Sequence, residues 1–370
     1  MENGISILYF SVGSGHQVAA ESLAGVLKQE QPNLPVYVED PFVKKSKTLP
    51  RTLNALQTVS IVLTPDIYDL AWRRKTDYDT YQWINDVGLL QDFLLERLNR
   101  HDVNIVVATH VLPCILAVGL KRRSLIKNVY GIITDFGVHS LWPIEGVDGY
   151  FVATDELRNI LSFRGIKSST IHATGIPIKK VYQETFIKPV SPKIRILIVA
   201  GGLRGGSYTN LRYFFTDLVE KFITEKFENC ELTVVTGNQT QLKKKLIKIQ
   251  QNSNVKFRVL GYIHDMPKLM IANDILITKS GGLIIAEALA IGMCIILSQS
   301  GPGQERENTD FLARQGAAYK GDTPEEVAQV VKFLIENPKI IDEMKTKTKS
   351  LGYPNSSEVI AKIILADLIL

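Results

Sequence analysis

A glycine turn between two apolar segments offers the clearest place for chemistry in this sequence. Residues 279–282 (KSGG) follow the apolar run Ile275–Thr278 and open a helix that stops at Gly292. The outward-facing N–H groups of such a turn, the positive end of the helix dipole and the charge of Lys279 together favour an anion. The pattern predicts an anion site here, although a tight strand-to-helix connection without a ligand explains the same spacing equally well.

Carboxylate and amide side chains lie beyond that turn. Glu287 is in the second turn of the helix, too far from its start to cap it. A carboxylate there could accept two hydrogen bonds from a ribose diol, as acidic residues do in other nucleotide sites, but a solvated helix face is the alternative. A second apolar strand at residues 294–297 leads into a loop, GPGQE at residues 301–305, with Asn308 one turn later.

Histidine and aspartate residues follow several strands in the N-terminal half. His16 follows the strand at residues 5–10 and the turn SVGSG, whereas His110, Asp135 and His139 follow later apolar runs. The carboxyl ends of parallel strands meet at one sheet edge, where open α/β sheets bind ligands. A histidine there could serve as a general base near neutral pH, or could simply hydrogen-bond the turn. The convergence of these side chains predicts a site better than any one of them alone.

The order of strands and helices predicts two doubly wound α/β halves. Each half begins with a strand, a glycine-rich loop and a helix, the second loop being AGGLRGGS at residues 200–207. The first loop lacks the third glycine of the dinucleotide fingerprint, because Val18 occupies its place, so a nicotinamide enzyme is disfavoured. Lysines and prolines between residues 179 and 192 predict a linker.

We therefore predict two Rossmann-like domains that face a cleft. The first covers residues 1–185 and the second covers residues 186–355. A final apolar helix over residues 356–370 is expected to pack back on the N-terminal domain.

Composition narrows the class of protein. The chain has 370 residues, of which 45% are apolar and 22% are charged, which is ordinary for a soluble α/β protein. A net charge of +5 is too small to predict nucleic acid binding but suits an anionic ligand or an anionic membrane surface. The three cysteines are far apart and predict buried thiols in a reducing cytoplasm. Neither an apolar run of membrane-spanning length nor a secretory signal is recognised.

The segment at residues 44–100 differs from its neighbours because basic and aromatic residues alternate in it. Trp72 is followed directly by Arg73, Arg74 and Lys75, with tyrosines and Trp83 nearby. Such a surface suits lipid headgroups, and we predict membrane contact here. A helical insert packed on its own domain is the alternative.

Several stretches together resemble the GT-B glycosyltransferases. In the C-terminal half these are GYIHDM at residues 261–266, ITKSGGLIIAEALAIGMCIIL at 277–297 and SGPGQEREN at 300–308. In the N-terminal half they are SVGSGHQVAAESL at 11–23, VATHVLP at 107–113, ITDFGVH at 133–139, FVATDEL at 151–157 and GIPI at 175–178. The chain is most similar to the group of monogalactosyldiacylglycerol synthases and processive diacylglycerol glucosyltransferases within glycosyltransferase family 28. The lipid II synthase MurG is a more distant relative.

The resemblance implies that the C-terminal half binds a UDP-sugar. Tyr262 and Ile263 would flank the uracil, with the Ile263 backbone reading its edge, and Glu287 would bind the ribose hydroxyls. Backbone N–H groups would hold the diphosphate, namely those of Gly202, Ser280, Gly281 and Gly282. Gln304 and Glu305 would hold the sugar hydroxyls, and Asn308 would support their loop.

The resemblance also implies an inverting transfer. His16, or Asp135 as second candidate, would take the proton of an attacking hydroxyl while charge builds on the departing UDP. The acceptor and membrane side would include Gly15, His139, Trp72, Arg73, Arg74 and Lys75. Because the helix start at residues 280–282 would stabilise the leaving diphosphate, we expect no cofactor and no obligatory metal.

The implied product is a β-glycosyl lipid, made by a cytoplasmic enzyme associated peripherally with the cytoplasmic face of a membrane. The expected partners are a UDP-sugar, a lipid acceptor that is best matched by diacylglycerol, and an anionic membrane surface, with no nucleic acid. Another lipid or a small-molecule acceptor stays open, as does an isomerase like the UDP-N-acetylglucosamine 2-epimerases. The sugar is open among glucose, galactose and N-acetylglucosamine.

Overall fold

A computed structural model describes most of the chain. The described residues are 4–11, 14–42, 88–101, 103–184, 191–200, 209–225, 227, 229–253, 255, 257–298, 301 and 303–369. The predictions for Gly202, Trp72, Arg73, Arg74 and Lys75, and for most of the segment at residues 44–100, lie outside these residues.

The first of two compact units comprises Met1–Lys180, Pro302–Gln304 and Tyr353–Leu370. Its six strands are all parallel, in the order β2-β1-β3-β4-β5-β6. They are β1 Gly4–Leu8, β2 Val36–Glu39, β3 Val103–Ala108, β4 Asn128–Ile132, β5 Gly149–Val152 and β6 Ile171–Ala173. Its described helices are α1 Gly15–Glu30, α2 Gly88–Asn99, α3 Val111–Arg122, α4 Asp155–Phe163 and, at the end of the chain, α12 Ser356–Ile369.

The last helix completes the core of this first unit. Ile360 and Ile364 of α12 are fully buried in the same cluster as Ile5 of β1 and Leu23 of α1. At the start of α12, the Ser356 hydroxyl donates to the Ile176 carbonyl oxygen at 2.7 Å. The predicted packing of a C-terminal helix on the N-terminal domain is therefore confirmed.

The second unit comprises Val181–Gly301 and Glu305–Gly352. Its six parallel strands lie in the order β12-β11-β10-β7-β8-β9. They are β7 Ile194–Val199, β8 Cys230–Val235, β9 Phe257–Leu260, β10 Ile275–Thr278, β11 Cys294–Ser298 and β12 Tyr319–Gly321. The helices are α5 Thr209–Thr224, α6 Thr240–Gln251, α7 Met266–Ile271, α8 Gly282–Ile291, α9 Gln304–Arg314, α10 Pro324–Glu336 and α11 Pro338–Ser350.

The predicted strand, turn and helix around residue 280 are found as expected. All four residues of β10 are buried, as an apolar central strand of a parallel sheet requires. Helix α8 ends at Gly292, whose φ of +70° is the left-handed conformation that glycine adopts without strain. The fold class predicted from the sequence, two doubly wound α/β domains of GT-B type, is confirmed.

One local prediction was wrong and two elements were not predicted. Gln304 and Glu305 do not lie in a loop but begin α9, whose apolar residues Phe311 and Leu312 are buried and hold the helix on the unit. Strand β12 has only three residues, and helix α11 is largely polar, so neither gave an apolar pattern that predicts it.

The cysteines agree with the prediction of reduced thiols. Cys114, Cys230 and Cys294 are all free, and the first and last of them are buried. Burial raises the pKa of the Cys294 thiol to about 12, so it stays protonated and unreactive. Separately, no helix among the described residues is long and apolar enough to cross a membrane.

Candidate active site

His16 lies in the first turn of α1, at the carboxyl end of β1. Its Nδ1 is 2.8 Å from the carbonyl oxygen of Thr109, which follows β3, and 2.9 Å from the hydroxyl of Thr134, which follows β4. A carbonyl oxygen can only accept, so Nδ1 carries the proton and Nε2 keeps its lone pair. Three strand ends thus set the tautomer that a general base requires.

Asp40 fixes the loop that leads into His16. This side chain, which directly follows β2, is buried and accepts hydrogen bonds from the backbone N–H groups of Ser11 and Phe42, both at 2.9 Å. The hydroxyl of Thr109 adds a bond to the His16 carbonyl oxygen at 3.0 Å. Neither Asp40 nor Thr109 was predicted as a site residue, although an aspartate placed directly after a strand is a usable signal.

The charge balance at His16 favours the neutral imidazole. Burial lowers the pKa of His16, while the negative charge of Asp135 and the hydrogen bond to Thr109 act in the opposite direction and only partly offset it. The ring is therefore a free base near neutral pH. Once it accepts a proton, the same Asp135 carboxylate stabilises the imidazolium, as the buried aspartate does in catalytic triads.

The two other histidines at this edge act as caps. Nδ1 of His110 accepts from Leu112 N at 3.1 Å, and Nδ1 of His139 accepts from Leu141 N at 3.0 Å. Burial lowers the pKa of both, that of His139 to about 4 with help from the Arg164 cation. The His110 ring stands edge-on to His16 with centroids 4.9 Å apart. The four predicted residues of the first unit, Gly15, His16, Asp135 and His139, thus share one sheet edge.

In the second unit, the glycine turn presents the start of α8. Gly281 is extended and Gly281 N donates to the Lys279 carbonyl oxygen at 2.9 Å, while the first bond of the helix runs from Ile285 N to Gly281 O. The N–H groups of Gly282, Leu283 and Ile284 therefore have no partner within the helix, as at every helix start. These groups and the dipole form an anion-binding end.

Side chains tie this turn to α9. The Ser280 hydroxyl donates to the Glu305 carbonyl oxygen, and Asn308 Nδ2 donates to the Ser280 carbonyl oxygen, both at 2.8 Å. Ser280 and Asn308 are fully buried. Only backbone groups of this turn are left to meet a ligand.

The Lys279–Glu305 ion pair closes the same junction. Lys279 Nζ lies 2.6 Å from Glu305 Oε1, and both side chains are mostly buried. Glu305 Oε2 accepts from Gly301 N at 3.0 Å. Glu305 therefore neutralises Lys279 and holds the preceding loop, and Gln304 stands half-buried beside it as the first residue of α9.

Glu287 is buried on α8, so the alternative of a solvated helix face is wrong. The Tyr182 hydroxyl, on a side chain that is 3% exposed, donates to Met270 Sδ at 3.6 Å and lies close enough to Glu287 to feel its charge. Burial, followed by that charge, raises the pKa of Tyr182, which therefore stays protonated. No local pattern in the sequence predicts Tyr182 at this site.

The loop after β9 carries the remaining predicted residues. Ile263 is half-buried, whereas Tyr262 is 60% exposed with its ring edge-on to His264 at 4.9 Å. This loop, the glycine turn and the start of α9 all follow strands of one parallel sheet, so they share its carboxyl edge. Among the described residues, no group of three or more His, Cys, Asp or Glu side chains is placed to hold a metal ion.

Two family models match successive parts of the chain. One, described as monogalactosyldiacylglycerol (MGDG) synthase, matches residues 16–178, and the other, described as the glycosyltransferase family 28 C-terminal domain, matches residues 203–360. A processive diacylglycerol β-glucosyltransferase of Bacillus licheniformis is 35% identical over 72% of this chain and 70% of its own length. That of Bacillus cytotoxicus is 28% identical over 98% of this chain and 93% of its own length.

Solved structures with low sequence identity share the fold. MurG from Acinetobacter baumannii superposes with a TM-score of 0.63 at 16% identity, covering 98% of this chain and 99% of that one. A UDP-GlcNAc 2-epimerase from Neisseria meningitidis gives 0.60 at 14% identity, covering 98% and 100%. At such identities the likeness establishes the GT-B type of fold and nothing further.

Proposed function

The chain belongs to the glycosyltransferase family of the monogalactosyldiacylglycerol synthases and processive diacylglycerol β-glucosyltransferases, and on that premise we propose that it glycosylates diacylglycerol. The donor is a UDP-hexose, the configuration at the anomeric carbon inverts, and the product is a β-glycosyl lipid. The observation that carries the proposal is His16, whose ring is neutral and whose Nε2 is left as an acceptor at the edge of the first sheet.

On the acceptor side, His16 is the general base. The acceptor hydroxyl attacks the anomeric carbon from the face opposite UDP and passes its proton to Nε2 of His16. Asp135 stabilises the resulting imidazolium through its charge. Gly15, which begins α1, and His139, which caps the segment after it, shape the surface that receives the acceptor.

On the donor side, the start of α8 receives the diphosphate. Backbone N–H groups act there together with the helix dipole. The N–H of Gly282 is the main donor to the diphosphate, because the N–H of Gly281 already donates to the Lys279 carbonyl oxygen. Gly202 and Ser280 contribute further N–H groups. Negative charge that builds on the departing UDP is stabilised at this end without a metal, so activity should need no metal.

The other donor contacts follow from the resemblance and are compatible with the geometry. Tyr262 and Ile263 flank the uracil and Glu287 accepts from the ribose hydroxyls. Gln304 and Glu305 hold the sugar hydroxyls. Each oxygen of Glu305 accepts one hydrogen bond, from Lys279 or from Gly301, and keeps a second lone pair that can accept from a sugar hydroxyl. Asn308 keeps α9 against the turn.

The proposed acceptor places the enzyme at a membrane surface. Diacylglycerol resides in the bilayer, so the enzyme binds peripherally at the cytoplasmic face, and the net charge of +5 favours anionic lipid. Trp72, Arg73, Arg74 and Lys75 supply the contact. Replacing Arg73, Arg74 and Lys75 by Glu should abolish pelleting with anionic liposomes, and unchanged pelleting would refute this surface.

An isomerase is not favoured. The epimerase shares only the fold, at 14% sequence identity, whereas the relatives at 28% and 35% identity are named as transferases. An epimerase also needs no acceptor, so acceptor dependence separates the two classes.

The test is UDP release in the presence of EDTA. UDP-glucose, UDP-galactose and UDP-N-acetylglucosamine are compared with and without diacylglycerol in anionic vesicles. We expect release that depends on diacylglycerol with one donor and falls by a factor of about 10² or more in His16→Ala. UDP release that needs no acceptor would reject the proposed function, as would the absence of UDP release with all three donors.

A further inference from the structure

Lys243 stands apart from the other lysines of α6. The sequence of this helix, with lysines at 243, 244, 245 and 248, is typical of a solvated face, and Lys244 and Lys248 are indeed exposed. Lys245 is exposed too, and its Nζ lies 3.2 Å from the Thr216 hydroxyl. Lys243 alone is half-buried. Its environment is therefore not that of a solubilising charge.

The Lys243 side chain lies across the first residue after β9. A Cβ added to Gly261 would be 3.2 Å from Lys243 Nζ and 3.7 Å from its Cδ, and 3.9 Å from the carbonyl oxygen of Gly237. Gly261 directly precedes Tyr262 and Ile263. The ammonium group therefore stands at the carboxyl ends of β8 and β9, beside the loop that we assign to the nucleobase.

The start of α6 is fixed at this edge of the sheet. The side-chain amide of Gln239, the residue before α6, donates to the carbonyl oxygen of Ala200 at the end of β7. Thr236 N donates to the Leu260 carbonyl oxygen at 2.9 Å and joins the ends of β8 and β9. Lys243 thus projects from a rigid base rather than from a free helix end.

The position is electrostatically unfavourable without a ligand. Lys243 lies in the first turns of α6, where the helix dipole disfavours a cation. Among the described residues no carboxylate forms an ion pair with it, although a half-buried ammonium group has three N–H donors to satisfy. A local rule that is broken without compensation inside the fold is expected at a functional site.

We propose that Lys243 recognises the base of the donor nucleotide by donating a hydrogen bond to O4 of uracil. This rests on the proposed function, since the loop at residues 261–263 meets a base only if the donor is a UDP-sugar. Cytosine carries an amino group where uracil has O4, so the ammonium would face another donor. Lys243 therefore selects uracil nucleotides over cytosine nucleotides, and glycine at 261 gives its side chain room to cross the loop.

The test compares binding of UDP and CDP by isothermal titration calorimetry. In Lys243→Met we expect the Kd of UDP to rise about 10-fold and that of CDP to change less than about 2-fold, because only uracil loses a partner. Lys244→Met and Lys248→Met, exposed residues of the same helix, are the matched controls and should bind both nucleotides as the parent does. Lys243→Arg should recover part of the preference.

Gly261→Ala provides a second route to the same contact. The new methyl group would press on the Lys243 side chain and should lower the preference for UDP without removing any charge. An effect of Lys243→Met no larger than that of Lys244→Met would overturn the proposal, as would an equal loss of UDP and CDP affinity. Because binding is measured without transfer, failure of the diacylglycerol assay alongside a lost UDP preference would reject the proposed acceptor and leave Lys243 in place.

Discussion

His16 differs from the two histidines beside it in which ring nitrogen carries the proton. His110 and His139 each use Nδ1 to accept a backbone N–H, whereas Nδ1 of His16 donates to a carbonyl oxygen. All three pKa values are lowered by burial, but only His16 is acted on by the charge of Asp135. The same side chain type is thus the proposed base in one place and a helix or turn cap in the others.

Removing the charge of Asp135 should have two effects: a shift of the acid limb to lower pH and a lower rate at neutral pH. Asp135→Asn removes a charge that raises the pKa of His16, so that pKa should fall further and the acid limb of kcat/KM should move to lower pH. At neutral pH the rate should nonetheless drop about 10- to 10³-fold, since the imidazolium loses its counter-charge. Initial rates of the parent and variant between about pH 4.5 and 9 test this.

In the parent enzyme the acid limb should itself lie below the ordinary histidine pKa of 6.5. Thr134→Ser keeps a hydroxyl near Nδ1 and serves as the control, with little change expected in either quantity. An acid limb that moves to higher pH in Asp135→Asn would contradict the assignment of His16 as base.

The residues of this site fall into those that a local sequence pattern marks and those whose role depends on a hydrogen bond to a residue far along the chain. His16, Asp135 and His139 could be predicted, because each follows an apolar strand and parallel strands end at a common edge. The carbonyl oxygen of Thr109 could not, since its hydrogen bond to His16 joins residues 93 positions apart. The place of Asp40 directly after β2 was a usable signal, but its partner Ser11, 29 positions away, could not be predicted. A single sequence carries no pattern for such pairs.

The glycine turn, α8 and α9 behave as one element held by side chains. Strand β10 and helix α8 were predictable from an apolar run and a terminal glycine, which are local signals. The beginning of α9 was not, because GPGQE has the composition of a loop, and only Phe311 and Leu312 packed beneath it hold the helix in place. Local sequence thus predicted the glycine turn but not the beginning of α9, which packs beside it.

Exchanging the charges of Lys279 and Glu305 tests that element. Lys279→Glu and Glu305→Lys each leave two like charges at a mostly buried junction, and breaking such a pair costs about 3–5 kcal/mol. Each single variant should lose about 10²-fold or more in kcat/KM, since the loop and the start of α9 lose their register. The double variant should recover the stability lost in the single variants, measured as Tm, but not their kcat/KM, because a lysine at position 305 accepts neither from Gly301 N nor from a sugar hydroxyl.

Lys320→Glu with Asp322→Lys is a matched control, because that pair is about half exposed in the same unit and its exchange should be neutral. A double variant at 279 and 305 that also regained kcat/KM would mean that Glu305 acts only through its pair with Lys279 and does not contact the donor.

At the scale of the whole molecule, the first unit is built from parts of the chain that lie on both sides of the second unit in the sequence. The first unit needs α12, which is made only after the entire second unit. The apolar character of the last helix could be read from the sequence, yet the strand orders around it arise from long-range pairing. Neither unit can therefore be delimited by one continuous stretch of sequence.

This dependence predicts a selective loss of stability. Ile364→Ala opens a cavity in the core shared by α12, β1 and α1 and should destabilise the first unit by about 2–5 kcal/mol. All three tryptophans precede residue 181 in the sequence, and Trp142 is buried in the first unit, so tryptophan fluorescence is used to report the unfolding of that unit in urea. Far-UV circular dichroism reports both units.

We expect the fluorescence midpoint to fall in Ile364→Ala while a later part of the dichroism transition keeps the parent midpoint. Lys362→Ala, an exposed position on the same helix, should leave both unchanged. Because we assign the donor site to the second unit, the affinity for UDP without urea should also be preserved. If both signals moved together and UDP affinity fell with them, α12 would stabilise the molecule as a single cooperative unit rather than complete the core of the first.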